Sequence, residues 1–211
     1  MAVVLLAVAV VALWQWRSDR SGRDYRSVME HYHQWQHQLY KIRDSQLDGC
    51  RLLLLGASHV QRMNPLLLGH GVVNFGVAGD TYAGLVSRFR EYSLLEKCQY
   101  VFVQVGYNDL VMGGLPYFER GIEQFVSGIG METQLVWSGL LPVDERTASV
   151  NPGLIRRANE LIEHRCSQLP QCVYLPPPTV LELAEDGVHL TGEGYRQWAD
   201  YLRPLIARLS N

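Results

Sequence analysis

Five short apolar runs alternate with longer helical stretches after residue 50, and this alternation narrows the possible folds more than any other pattern in the chain. The runs have the length of buried strands and cover Arg51–Leu55, Val72–Phe75, Tyr100–Val105, Gln134–Trp137 and Cys172–Leu175. The helical stretches lie near Tyr82–Leu95, Tyr117–Ile129, Pro152–Leu169 and Thr191–Leu209. Strands separated by helices form parallel βαβ units. The sequence therefore predicts an α/β fold with a doubly wound, mostly parallel five-stranded sheet flanked by helices.

The composition agrees with one folded domain that carries an appendage. The chain has 211 residues, of which 47% are hydrophobic, and its formal net charge is −2. This apolar content is too high for a disordered chain. A nucleic-acid-binding protein normally carries an excess of basic residues, so the near-neutral net charge predicts no nucleic-acid partner.

The N-terminus predicts contact with a membrane. Residues 2–14 are uncharged and apolar, and a helix over residues 1–16 would span about 24 Å, which fits a signal peptide or short signal anchor. Arg17, Arg20, Arg23 and Arg26 follow this run, a bias that favours a cytoplasmic C-terminal side, so the orientation stays open. A buried N-terminal helix is the alternative. Residues 17–47 are expected to form a juxtamembrane spacer and an amphipathic helix, and residues 48–211 the α/β domain.

Four cysteines bear on the compartment. Cys50, Cys98, Cys166 and Cys172 allow three pairings, and spacing alone does not choose among them. Two disulfides would favour an oxidising location outside the cytoplasm, whereas four free thiols are the alternative. No cysteine lies in a CxxC pair, and His33 and His37 lack a third ligand at suitable spacing. The sequence therefore predicts no metal and no organic cofactor.

Polar and glycine-rich blocks follow four of the predicted strands. These blocks are Gly56–Val60, Asn74–Thr81, Gly106–Asp109 and Asp186–Leu190. In open parallel sheets, functional residues gather beyond the carboxyl ends of the strands. Each block alone has an ordinary explanation as a cap or a turn, but the four together predict a single site.

With these blocks the chain resembles the SGNH (GDSL-type) hydrolases over about residues 50–210. The resemblance is strongest in Gly-x-Asn-Asp, Asp-x-x-His and N-x-G-x-x-G-D-T. It is weaker in the first block, where the usual Gly-Asp-Ser-Leu reads Gly-Ala-Ser-His, so that Ala57 stands in place of an aspartate. The resemblance implies a sheet order of 2-1-3-4-5, in which Cys50 and Cys98 start neighbouring strands opposite the active site. It thereby favours a disulfide between them, and a periplasmic or other extracytoplasmic location in a bacterium.

The resemblance also assigns roles at the site. Ser58 would be the nucleophile, His189 the general base and Asp186 the residue that orients the imidazole. The oxyanion hole would consist of the Ser58 amide, the Gly79 amide and the side-chain NH₂ of Asn108. His59 is the competing base, but residues adjacent in sequence seldom have the geometry for Ser-to-His proton transfer.

Three functions follow from this reading. The first is a membrane-anchored or secreted serine esterase that hydrolyses acyl esters, O-acetyl groups among them, on a small molecule, a polysaccharide or a lipid. The second is an O-acyltransferase that acts on envelope polysaccharide, and the third is a catalytically inactive glycan-binding or scaffold domain. We expect the loop Leu110–Pro116 to line an apolar acyl pocket and the loop Leu140–Val150 to form a polar rim. The oligomeric state is left open.

Overall fold

The computed structural model describes residues 27–208, and the chain divides into two compact units, Met1–Tyr40 and Lys41–Asn211. In the first unit, residues 27–40 are helical. The predicted signal peptide or anchor over residues 1–16 lies outside the described residues. Between residues 27 and 208, no helix is both long and apolar enough to cross a bilayer.

The second unit alternates strands and helices as predicted. After helical residues 41–44, its strands are β1 (Cys50–Gly56), β2 (Val72–Asn74), β3 (Cys98–Gln104), β4 (Leu135–Ser138) and β5 (Cys172–Leu175). Its helices are α1 (Ser58–Arg62), α2 (Tyr82–Phe89), α3 (Leu94–Lys97), α4 (Tyr107–Gly128), α5 (Pro152–Ser167) and α6 (Gly192–Arg208), with a 3₁₀ turn at Pro65–Leu68. The predicted helix near Tyr82–Leu95 is thus two helices.

The five strands form one parallel sheet in the order β2-β1-β3-β4-β5. The predicted α/β sheet and the strand order implied by the resemblance are therefore confirmed. Cys50 pairs in register with Cys98 at the start of β1 and β3, and the two form a disulfide. A second disulfide joins Cys166 near the end of α5 to Cys172 at the start of β5. The disulfide favoured between Cys50 and Cys98 is therefore present, and the alternative of four free thiols is wrong.

The core lies on both faces of the sheet because its central strands are buried on both sides. Leu52, Leu54 and Phe102 pack in one cluster with residues of α6, including Trp198. The opposite side holds a group of ring contacts formed by Tyr82, Phe89, Phe118, Phe125 and Trp137. Near-continuous apolar strands of this kind are typical of parallel sheets covered by helices on both faces.

The prediction of a loop at Leu110–Pro116 is wrong, because this segment belongs to α4. Helix α4 begins at Tyr107 and is kinked at Gly113 and Gly114, the latter with φ of 62°. Leu110 is only 4% exposed, so its burial favours the helical turn before the kink, and the glycines and Pro116 interrupt rather than prevent the helix.

Candidate active site

Ser58 lies at the sharp turn between β1 and α1. Gly56 has φ of 157°, and a Cβ atom on it would lie 2.1 Å from the carbonyl oxygen of Gln104. Glycine therefore allows β1 to end in close contact with β3. The Ala57 N–H still donates to Gln104 O at 3.2 Å, and Ser58 follows as the first residue of α1. This turn places the serine at the carboxyl edge of the two central strands.

Contacts from β2 stabilise this turn, although Ala57 has no side chain that could cap α1. The Asn74 side chain, at the end of β2, donates to Val60 O at 2.6 Å and to Met63 O at 2.9 Å. Its Oδ1 atom accepts from the Gly76 N–H at 2.9 Å. Asn74 thus ties α1 to the second block, a role that its position in the sequence motif did not reveal.

Asp186 and His189 lie in a tight turn after β5. The turn is closed by an antiparallel bridge between Leu183 and Leu190, and the Ala184 N–H donates to His189 O at 2.7 Å. Gly187 provides the positive φ of 66° that the reversal requires. The three-residue spacing of acid and base therefore brings both side chains to one side of a turn.

The structure brings Ser58, His189 and Asp186 into one hydrogen-bonded chain. His189 Nδ1 lies 2.5 Å from Asp186 Oδ2, and His189 Nε2 lies 2.9 Å from Ser58 Oγ. Because a carboxylate only accepts, Nδ1 carries the proton, which leaves Nε2 to accept from the serine hydroxyl. This is the tautomer that a base acting on Ser58 requires.

Asp186 is held in its charged form. Its hydrogen bond from the His189 side chain, assisted by the backbone N–H groups of Val188 and His189, holds the pKa of Asp186 far below its ordinary value. The carboxylate is therefore available to orient the imidazole and to stabilise it when it gains a proton.

The three predicted oxyanion-hole donors lie on different elements. Ser58 is the first residue of α1, where a helical N–H has no carbonyl partner within the helix. Gly79 lies in the turn after β2 with φ of 77°, and Asn108 lies in the first turn of α4. Asn108 Nδ2 donates to Asp80 O at 2.8 Å, so the residue after Gly79 orients the asparagine amide.

A buried ion pair supports this second block. Arg88 of α2 contacts Asp80 Oδ2 through Nε at 2.9 Å and through Nη2 at 2.6 Å, and it donates to Phe75 O at 3.1 Å. Thr81 caps α2 by accepting from the Gly84 N–H through its side-chain oxygen. The turn that carries Gly79 and the carbonyl that orients Asn108 are thus fixed by one guanidinium.

A cavity of about 60 Å³ opens beside the serine. Its lining includes Ser58, Asn108 and His189 together with Ala57, His59, Gln104, Val105, Gly106, Tyr107, Leu140 and Val188. We call it the catalytic cavity. Its apolar lining residues include Ala57, Val105, Leu140 and Val188. Val111 and Met112, in the segment expected to line an acyl pocket, do not belong to this lining and are 51% and 65% exposed.

His59, the competing base, contacts the turn that carries Asp186 and His189. Its Nε2–H donates to Val188 O at 2.8 Å, and its ring lies 5.5 Å from the His189 ring. Burial lowers the pKa of His59 to about 4, so the ring is neutral near pH 7 and keeps this N–H. Among residues 27–208 no cluster of three or more His, Cys, Asp or Glu side chains could hold a metal ion.

Asp109, next to Asn108, is fully buried, and both of its oxygens accept from the Tyr82 N–H at 3.2 Å. Burial raises its pKa from 3.8 to about 7, and nearby Asp80 adds to the effect.

A pKa raised on folding gives a stability contribution that is complete below pH 3.8 and is lost as the pH rises through 7. The free energy of unfolding of Asp109→Asn, relative to that of wild type, should therefore increase as the pH is raised from about 5 to about 8, as measured by urea unfolding. If the two proteins lose stability in parallel over this range, the prediction is contradicted.

No family model matches the chain, and no curated protein matches it, but solved structures do. A protein from Streptococcus pneumonia, provisionally assigned as a platelet activating factor, has a TM-score of 0.74 and 18% identity, covering 88% of this chain and 98% of that one. A GDSL-like lipase from Bacteroides thetaiotaomicron has a TM-score of 0.62 and 18% identity, with coverages of 82% and 98%. The C-terminal catalytic domain of peptidoglycan O-acetyltransferase A from Streptococcus pneumoniae has a TM-score of 0.62 and 13% identity, with coverages of 78% and 96%. The chain therefore has the α/β fold of the SGNH (GDSL-type) hydrolases.

Proposed function

We propose that the chain is a serine esterase of the SGNH hydrolase family that acts on acyl esters through an acyl-serine intermediate. The observation that carries this proposal is the hydrogen-bonded chain from Ser58 through His189 to Asp186 beside the catalytic cavity. The fold shared with a GDSL-like lipase supports it, although a fold alone does not determine a reaction.

The reaction begins when Ser58 Oγ attacks the ester carbonyl carbon and its proton passes to His189 Nε2. Asp186 stabilises the imidazolium that forms. The carbonyl oxygen becomes an oxyanion, which accepts hydrogen bonds from the donors assigned above on Ser58, Gly79 and Asn108. Collapse breaks the bond to the alcohol oxygen, which takes the proton from His189 Nε2, and leaves the acyl group on Ser58.

The second half uses the same groups. Water attacks the acyl carbon and gives a proton to His189 Nε2, and collapse releases the acid while Ser58 Oγ regains its proton. If a sugar hydroxyl replaces water, the same intermediate leads to acyl transfer. The fold shared with an O-acetyltransferase domain makes this the second candidate function. The inactive-domain alternative rested on Ala57, and the contacts of Asn74 with α1 argue against it.

The test is to treat the full chain with a fluorophosphonate and measure the intact mass. One adduct on the wild-type protein, absent from Ser58→Ala, is expected because only an activated serine reacts rapidly. A folded wild-type protein without an adduct would refute the esterase and the acyltransferase together. Product analysis with acetylated substrate and a sugar acceptor then separates the two, because only transfer yields a new sugar ester.

We also propose a location outside the cytoplasm, with the N-terminal segment in the membrane or removed. The two disulfides support it, since such bonds persist mainly in oxidising compartments. Cell fractionation of the full chain tests it, and recovery in the cytosolic fraction with reduced cysteines would oppose it.

A further inference from the structure

Leu140 lines two cavities of very different size. One is the catalytic cavity of about 60 Å³, and the other is a groove of about 390 Å³, which we call the α5 groove. The groove is lined by residues after β4, along α5 and after β5: Leu140, Pro142, Val143, Pro152, Ile155, Arg156, Asn159, Glu160, Glu163, Tyr174, Pro177, Pro178 and Thr179. Leu140 is the residue common to both linings within the described part of the chain.

Leu140 is held firmly in this position. Asn159 clamps its backbone from both sides, because Oδ1 accepts from the Leu140 N–H at 2.7 Å and Nδ2 donates to Leu140 O at 3.0 Å. The preceding Gly139 is packed so closely that an added Cβ atom would lie 2.8 Å from Pro177 and from the Tyr174 hydroxyl. Leu140 as a whole is only 1% exposed. It is therefore a fixed wall rather than a mobile loop residue.

The sizes of the two cavities correspond to different acyl groups. A buried water molecule needs about 10–15 Å³ of cavity volume, so a cavity of about 60 Å³ holds roughly four to six non-hydrogen atoms. That accommodates an acetyl ester group and little more. The α5 groove falls within the usual volume range for small-molecule sites. Three aliphatic residues and four prolines give it an apolar lining that suits a hydrocarbon chain, and Arg156, Glu160 and Glu163 add charged groups to it.

We infer that Leu140 is the residue that determines acyl length: its side chain restricts the catalytic cavity to acetyl-sized groups and separates it from the α5 groove. This inference rests on the proposed function and specifies its substrate class as acetyl esters. Shortening the side chain should connect the two spaces, so that a longer acyl chain extends from Ser58 into the groove. Asn159 would act in this as the positioning residue for Leu140.

The test compares p-nitrophenyl acetate, butyrate and octanoate as substrates of the full-length protein. For wild type, kcat/KM should be at least about tenfold higher for acetate than for octanoate, since one poorly accommodated methylene already changes this ratio by about that factor. Leu140→Ala should raise the octanoate-to-acetate ratio by about tenfold or more. The matched control is Val143→Ala, which alters the groove but not the shared wall and should keep the wild-type ratio.

The outcomes separate the inference from the proposed function. Wild type that cleaves octanoate as well as acetate, or Leu140→Ala with the wild-type ratio, overturns the inference and leaves the esterase intact. Wild type that cleaves none of the esters and takes no fluorophosphonate overturns both. If Leu140→Ala does not fold, Leu140→Val replaces it, and an increased butyrate-to-acetate ratio is then the expected result, while an unchanged one refutes the inference.

Discussion

Ser58→Ala is expected to lower kcat for ester hydrolysis by roughly 10⁴–10⁶-fold, because the acyl-serine can no longer form. His189→Ala should cause a loss of the same order, since the hydroxyl then lacks the acceptor that lies 2.9 Å away. The double variant should be hardly worse than either single variant, because the two side chains act as one unit. Steady-state kinetics with p-nitrophenyl acetate measure all three.

The matched control is Ser127→Ala, an exposed serine on α4 whose hydroxyl donates only to Gln124 O. It should retain wild-type kinetics. Substantial hydrolysis by Ser58→Ala, with a folded protein and no contaminating esterase, would mean that another group attacks the ester. Multiplicative losses in the double variant would instead show that Ser58 and His189 act separately.

The second large effect concerns stability. Arg88→Met should lower the free energy of unfolding by about 3–5 kcal/mol, because it leaves the Asp80 carboxylate buried without its cation. The Asp80 and Arg88 side chains are only 2% and 7% exposed, so water cannot compensate. Urea unfolding at neutral pH measures the loss.

The control is Arg146→Met. Arg146 also pairs with an aspartate, Asp144, but its side chain is 83% exposed, so water screens the pair and the change should cost far less than Arg88→Met. Adding Asp80→Asn to Arg88→Met should recover part of the stability, because the unpaired charge is removed. Equal losses in the two arginine variants would show that burial does not determine the contribution of the Asp80–Arg88 pair.

Much of the fold was predictable because its signals are local. Each strand is a short apolar run, and the blocks with Ser58 and Asn108 follow β1 and β3 closely, whereas the block with His189 comes after a longer connection from β5. The helix over residues 110–116 was not predictable, because glycine and proline usually end helices. In the structure the helix continues past a kink that follows the buried Leu110. Local composition does not report such a tertiary contact.

The contacts that complete the candidate site were not predictable in the same way. Asn159 reaches Leu140 across 19 positions, and Asn74 reaches Val60 across 14. Nothing in the neighbouring residues of either asparagine indicates its partner. A motif thus predicts which groups meet at the sheet edge, but the walls and supports around them depend on how distant elements pack.

The hydrogen bond between His59 and Val188 joins segments that are 129 positions apart. His59 follows Ser58 directly, and Val188 precedes His189 directly, so the bond ties α1, which begins at Ser58, to the turn that carries His189. Local unfolding of the C-terminal part of the chain would therefore break this bond and remove His189 from Ser58 in the same event. Partly unfolded molecules would then have no activity instead of reduced activity. The activity that remains during denaturation would therefore be proportional to the fraction of fully folded molecules.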